Sequence, residues 1–288
     1  MFSIFSKTKI LGLDITEEYI RYSLILKRGD SNTLLSFGEE KIARVEPRNA
    51  LLSALRNIIR KTGQKNVNVS FPPSFVRTET ISVPANTNKG LAFEIEIRLK
   101  EKLLLSHQES ILYYEKFESI NNKDFYNVFI SSKENIDFIK SVFTNLDLNV
   151  KKIVSHKDAL ISSCVRVGEI IDTMIIDGEN LRTDVVIYSP FNRFKLISKF
   201  SEKDEVGDLI KETYKDFYDI SGDKIGYFFV TGSFAKDNVF INNLSKDTRM
   251  PIQEADVLVN LNFKKDEVPP LTREESLLFA VALGVAMS

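Results

Sequence analysis

Two aspartates carry the chemistry this chain offers most readily. Asp14 ends the apolar run Lys9–Asp14, and Asp177 ends the run Met174–Asp177. Each is followed by a polar turn and a second β-rich run, Ile20–Lys27 in the first case and Asp184–Ser189 in the second. A carboxylate at a strand end can accept from the N–H groups of its own turn. Where two such turns face each other, their backbone N–H groups can instead clamp a phosphate chain from both sides. The two carboxylates can then hold a hydrated Mg²⁺, which keeps most of its waters. Both readings stay open at this level. Other chemistry has little support. His107 and His156 lie far apart and neither has a recognisable nucleophile partner, so a catalytic triad is not indicated. His156 reads as a neighbour of a helix cap and His107 as a loop residue. Cys164 is the single cysteine, which excludes an intrachain disulfide and a cysteine metal cluster. A zinc site of His and carboxylates is not expected, and no residue is nominated as catalytic.

The elements that must position these aspartates come in a repeated plan. In the first pass, strand, Asp14, turn, strand, a third strand at Thr33–Phe37, a helix at Ala50–Lys61 and a strand at Val67–Phe71 follow one another. In the second, strand, Asp177, turn, strand, a third strand at Phe194–Phe200, a helix at Val206–Tyr218 and a strand at Ile225–Val230 do the same. Asp14 to Phe71 is 57 positions and Asp177 to Val230 is 53. Between the two passes, Thr78–Val154 reads β-α-β-β-α-β, the ferredoxin-like order, as if inserted into the first. A helix over 156–167 leads into the second pass, and another over 271–287 closes the chain. The division is therefore 1–77, an inserted 78–154, and 155–288, with the final helix a candidate to pack back on the first part.

Composition narrows the function. Over 288 residues, 39 Lys and Arg balance 40 Asp and Glu, for a net charge of -1. A dedicated nucleic-acid binder needs a basic footprint that this balance does not supply. No run approaches the roughly 20 apolar residues of a membrane span; the longest, Leu277–Met287, is rich in Ala and Gly and reads as a closely packed helix. The start, Met1-Phe2-Ser3-Ile4-Phe5-Ser6-Lys7, lacks the long apolar core of a secretory signal and reads as a lead-in that packs or frays, with a membrane-touching segment as the alternative. The absence of disulfides fits a reducing, cytoplasmic compartment.

The order of the motifs resembles the PilM family, the actin-like component of type IV pilus assembly. The resemblance rests on Gly12-Leu13-Asp14-Ile15, on Val69-Ser70-Phe71-Pro72 followed by Arg77 and Val83-Pro84, and on the helix Leu91–Leu105 with Tyr113-Tyr114-Glu115. It continues through Ile176-Asp177-Gly178, Val230-Thr231-Gly232-Ser233 and Ala282-Leu283-Gly284-Val285-Ala286, nearly the whole chain. It implies an α/β, duplicated actin-like (ribonuclease H-like) ATPase fold with an inserted subdomain. It also implies a cytoplasmic scaffold at the inner membrane, a PilN-like single-span membrane protein whose tail is captured, further pilus alignment proteins as partners, and binding of ATP with Mg²⁺. The residues matching the nucleotide site are Asp14, Thr16, Asp177, Gly178, Arg182, Gly232 and Ser233, with Asp14 and Asp177 toward the metal. Thr16 would offer a hydroxyl, Gly178 the close backbone approach that glycine permits, and Arg182 a guanidinium.

The chain also departs from that pattern. Thr16-Glu17-Glu18 replaces the family's glycine and small hydroxyl residues, and two like charges 4 Å apart cost roughly 1 kcal/mol in water and about 4 at a protein surface. Ser233 stands where a second glycine is usual. Phe200–Ile225 has room for about one helix where the family has several, a reduced second-half insertion. These departures point to a degenerate ATPase site. The partner groove is assigned to Arg77, Phe93, Ile97 and Tyr113, between the first half and the insert, where an extended tail can add as a strand. A basic face at Arg98, Lys100 and Lys102 reads as solvated. The alternative function is an ATP-binding, filament-forming protein of the FtsA cell-division type.

Overall fold

An antiparallel hairpin, β1 (Thr8–Ile15) and β2 (Tyr19–Arg28), begins the first lobe and sets Asp14 opposite Arg21. The computed structural model describes residues 7–29, 31–42, 47–72, 75–85, 87, 90–103, 109–120, 122–179, 182–190, 203–262 and 272–288. β3 (Ser31–Lys41) extends the hairpin. Helix α1 (Pro47–Thr62) then buries Leu51, Ala54, Leu55 and Ile58, the stripe its spacing announces. β4 (Asn66–Ser70) returns parallel to β1, with Asp14 beside Ser70.

The chain next makes a small module: β5 (Arg77–Pro84), α2 (Leu91–Leu103), β6 (Glu109–Ile120) and β7 (Lys123–Ser132). Its three strands pair in the order β5-β7-β6, and α2 covers one face through Ile95 and Leu99 against Ile81, Val83, Tyr126, Val128 and Ile130. The next two elements correct the ferredoxin-like order expected here. Helix α3 (Lys133–Asn145) turns Ile139, Val142 and Phe143 into the first lobe's core, and β8 (Asn149–Ile153) pairs parallel with β4. The lobe's sheet is therefore five-stranded, β3-β2-β1-β4-β8, and the module is β-α-β-β with three strands. A five-residue strand announces itself by pattern but not by partner. The fully buried Val67 and Val69 of β4 leave an edge that must be covered, and β8 covers it.

Helix α4 (His156–Cys164), capped by Ser155, leads to the second lobe. Its sheet has the order β10-β9-β11-β12, from β9 (Thr173–Glu179), β10 (Arg182–Tyr188), β11 (Tyr227–Gly232) and β12 (Ile252–Glu254), with α5 (Val206–Ser221) and α6 (Asn238–Thr248) packed against it. β9 lies between β10 and β11 as β1 lies between β2 and β4. The short β12 is not announced by the sequence pattern. The strand expected at Phe194–Phe200 and the loop holding His107 lie outside the described residues.

The closing helix is two, α7 (Arg273–Leu278) and α8 (Ala280–Met287), broken at Phe279, whose ring packs edge-on against Phe37 at 5.1 Å. α8 lies across the first lobe's sheet. A Cβ on Gly12 would come within 2.5 Å of the Ala282 carbonyl oxygen, and one on Gly284 within 1.8 Å of the Ala159 carbonyl oxygen. Ser23 Oγ donates to Ala282 O at 2.7 Å and Asn68 Nδ2 to Val285 O at 3.1 Å. The Ala and Gly content of α8 thus serves close backbone packing between the lobes. Among the described residues no helix is long and apolar enough to cross a membrane.

Candidate functional site

The β1–β2 and β9–β10 hairpins meet across the cleft between the lobes. Arg21, projecting from β2 and 6% exposed, reaches Glu179 at the end of β9, with Nη1 to Oε1 at 2.6 Å. Its Nε also meets Glu39 Oε2 on β3 at 3.0 Å, and its guanidinium lies 4.0 Å from the Tyr19 ring centroid. His156, in the first turn of α4, sits between two carboxylates of the second lobe. Its Nε2 is 3.1 Å from Asp177 Oδ2 and its Nδ1 2.8 Å from Asp184 Oδ2. Asp177 and Asp184 are direct cross-strand partners. Arg182 pairs with Asp184 from the same strand. Asp14 is 7% exposed, and among the described residues no hydrogen bond or ion pair reaches its carboxylate.

The charges explain one another. Burial and the neighbouring Arg182 push the His156 imidazole down, but Asp184 and Asp177 outweigh them and leave it up at about 9. Burial pushes Asp184 up, yet His156 and Arg182 outweigh it and hold the carboxyl down at about 2. Asp14 is raised, by burial first and by Asp177, against the pull of His156, Arg21 and Arg182. Glu179 is raised by burial, Asp177 and Asp14 despite Arg21. His156, Asp177 and Asp184 bring ligand-type atoms within 4.8 Å of one another. A metal there would have to displace the proton that makes His156 a cation, since only the neutral ring coordinates.

The structure brings the sequence-assigned nucleotide residues to one place, but most are engaged within the protein. Thr16 Oγ1 donates to Tyr19 O at 3.0 Å and accepts from Tyr19 N at 3.1 Å, closing the β1–β2 turn rather than facing the cleft. A Cβ on Gly178 would fall 2.0 Å from the Phe234 ring, and one on Gly232, at φ +74°, 2.5 Å from Gly178 O. Both glycines thus serve the packing of β9 against β11 and its following turn. Ser233 Oγ donates to Gly178 O at 3.1 Å. Arg182 is held by Asp184. Sequence reasoning missed Arg21, Glu179, Asp184 and His156. Asp184 had a signal, because a hairpin closing after Glu179 sets it against Asp177, and two opposed carboxylates require a cation. Nothing in the sequence names His156 as that cation.

The four residues assigned to a partner groove do not share a surface. Phe93 is 67% exposed and lies one turn from half-buried Ile97, so both sit on the solvent face of α2, away from Ile95 and Leu99. Arg77 alternates with Ile81 and Val83, which puts it on the α2 side of the three-stranded sheet. Tyr113 packs on Phe129 at 5.8 Å, on the opposite face.

No family model matches the sequence, and no curated protein matches it. Solved structures do. A chain of the PilM–PilN type IV pilus biogenesis complex superposes with a TM-score of 0.80 over 98% of both chains at 12% identity. The cytoplasmic domain of EpsL, an inner-membrane component of the type II secretion system of Vibrio cholerae, gives 0.55 over 97% of this chain and 95% of that one at 10% identity. A Bacteroides thetaiotaomicron protein with an actin-like ATPase fold and unknown function gives 0.53 over 93% and 96% at 12%. At these identities the likeness establishes the fold, which is the actin-like ATPase fold, in agreement with the class read from the sequence.

Proposed function

We propose that this chain is a PilM-type, actin-fold scaffold of type IV pilus or related type II secretion assembly, which captures the tail of a PilN-like single-span membrane protein. One observation carries the reading. The likeness to the PilM–PilN structure runs over 98% of the chain, at a TM-score of 0.80 against 0.55 and 0.53 for the EpsL domain and the Bacteroides protein. On this reading the protein works at the cytoplasmic face of the inner membrane, among other pilus alignment proteins, and its partner brings it there. The tail docks on the exposed side of α2, where Phe93 and Ile97 form an apolar pair flanked by the Glu94–Arg98 and Glu96–Lys100 ion pairs. Arg77 lies on the sheet face that α2 covers and Tyr113 on the other face, so both are control positions. Calorimetry with a synthetic tail peptide tests this. Phe93→Asp with Ile97→Asp should weaken capture at least about tenfold, the loss of a buried apolar anchor. Unchanged affinity would remove this surface from the proposal.

We further infer that the cleft is a degenerate ATPase site. Its glycines are packed against their own lobe, Thr16 is closed into its turn, and Arg21 already spans the gap to Glu179. A net excess of buried carboxylate repels phosphate. The convergence of Asp14 and Asp177 is the one observation that favours the alternative, an ATP-binding protein of the FtsA type. Titration with Mg²⁺ and ATP should give no binding heat. Micromolar binding abolished by Asp14→Ala and by Asp177→Ala would instead restore the nucleotide reading.

A further inference from the structure

We infer that His156, Asp177 and Asp14 bind one divalent transition metal ion directly, of the type of Zn²⁺, and that this ion ties the two lobes across the cleft. The ring of His156 offers a different neighbour to each nitrogen. Nδ1 faces Asp184 Oδ2 at 2.8 Å, and Asp184 is itself held by Arg182. Nε2 faces Asp177 Oδ2 at 3.1 Å. Neither Nε2 nor Asp184 Oδ2 makes a directed hydrogen bond, although both are buried. A ring carrying two protons therefore satisfies neither carboxylate well. A metal on Nε2 changes this, because a histidine so bound keeps its far N–H for a carboxylate that holds the ring in place. Bonds of about 2.0–2.2 Å to a tetrahedral zinc set neighbouring ligand atoms about 3.3 Å apart. The spacing of Nε2 and Asp177 Oδ2 already suits a shared ion.

Asp14 is the independent sign of an ion. It belongs to the other lobe, it is more than nine-tenths buried, and its carboxylate has no direct partner among the described residues. Of the charges that act on it, that of His156 is the strongest, so it faces the cluster. The remaining charges are already committed. Arg21 is taken by Glu39 and Glu179, and Arg182 by Asp184. Asp14 and Asp177 are left to share the single positive charge of the protonated ring. A divalent ion in place of that proton supplies one charge for each carboxylate, and the proton leaves to solvent. One imidazole with two carboxylates suits zinc and its first-row neighbours, whereas Mg²⁺ prefers oxygen ligands and keeps its waters. The ion is therefore different in kind from the hydrated one that would accompany a nucleotide. The sequence does not announce this site because its ligands come from β1, α4 and β9.

The test is calorimetric titration of ZnCl₂ into the full chain, freed of metal by a chelator and with no nucleotide present. The wild-type chain should take up one Zn²⁺ and melt higher with it, and excess Mg²⁺ should not displace the ion. Asp14→Asn and His156→Gln should each weaken binding at least about tenfold, and Asp184→Asn should weaken it about tenfold to a hundredfold through the ring it holds. His107→Gln removes the only other histidine and should bind as the wild type does. Asp14→Asn also guards against misfolding: in chelator it should melt no lower than the wild type, yet gain less from Zn²⁺. No uptake by the wild-type chain, displacement by Mg²⁺, equal uptake by Asp14→Asn or His156→Gln, or loss of uptake in His107→Gln overturns the inference. No tail peptide and no ATP enters these measurements, so their outcome is separable from those of the tail-capture and nucleotide readings.

Discussion

The two hairpins that meet in the cleft hold equivalent places in their sheets and yet differ in how their aspartates are balanced. In the first lobe Asp14 stands opposite a cation, Arg21; in the second Asp177 stands opposite another carboxylate, Asp184. Opposed like charges destabilise an antiparallel pair, so the second hairpin depends on His156, delivered by the helix that follows the first lobe's sheet. Arg21 in turn leaves Asp14 and serves Glu39 and Glu179. Arg21 of the first lobe holds Glu39 of its own sheet and Glu179 across the cleft, while His156 and the second lobe's own Arg182 hold Asp184. Closure of the cleft is written into the side chains of both lobes and needs no bound anion.

This asymmetry can be broken at several points. The largest effect should come from the shared seam: Gly284→Val drives a side chain into the Ala159 carbonyl and should cost more than about 3 kcal/mol, or prevent folding, as read by urea denaturation. Next, His156→Ala strands the buried Asp177 and leaves Asp184 with Arg182 alone, and should cost about 3 kcal/mol; Asp184→Asn in that background should recover part of the loss. Arg21→Met alone leaves Glu179 partly buried without its cation and should cost about 2 kcal/mol. Arg21→Met combined with Glu179→Leu should recover most of that loss, because replacing both members of a pair by apolar groups is often neutral, while Glu39 keeps only its solvent-facing side. A double-mutant cycle measures the difference.

The pH dependence sharpens the same contrast. His156 is raised to about 9, against about 6.5 for an unfolded histidine. Its contribution to stability is therefore complete below about pH 6.5, and it is lost as pH rises through about 9. Asp184 is lowered to about 2, so its contribution stands above about pH 4 and is lost as pH falls through about 2. Melting temperatures of the wild-type chain and His156→Gln across alkaline pH should converge. The smallest effect concerns the first hairpin. Asp14 is raised by burial, so Asp14→Asn should increase the melting temperature slightly at neutral pH, which a differential scanning measurement resolves.

Much of this arrangement is legible in the sequence because it is local. The apolar stripe of α1, the alternation Val67-Asn68-Val69-Ser70 of β4 and the strand-ending aspartates follow from local patterns that need no partner to be read. The membership of β8 is not legible. Asn149-Val150-Lys151-Lys152-Ile153 reads as a strand in any sheet, and only the exposed edge of β4 decides which one takes it. Residue type alone makes Thr16, Gly178 and Gly232 look like phosphate contacts. Glycine permits close approach by anything, and here what approaches is Phe234 and the protein's own backbone. The four groove residues are separated for a related reason: Tyr113 and Phe93 lie near each other in the order of elements but on opposite sides of the module they belong to.

The amino-acid order by itself determined the repeated strand–aspartate–turn plan, the inserted module's existence and the small-residue character of the last helix, because these depend on contacts a few residues apart. Only the tertiary structure decided which cation meets which carboxylate. Arg21 and Glu179 are 158 positions apart in the chain, and their 2.6 Å contact exists only once two sheets have formed and closed on each other. The free energy of a buried charge is set by the neighbours that replace its water, and those neighbours are chosen by folding.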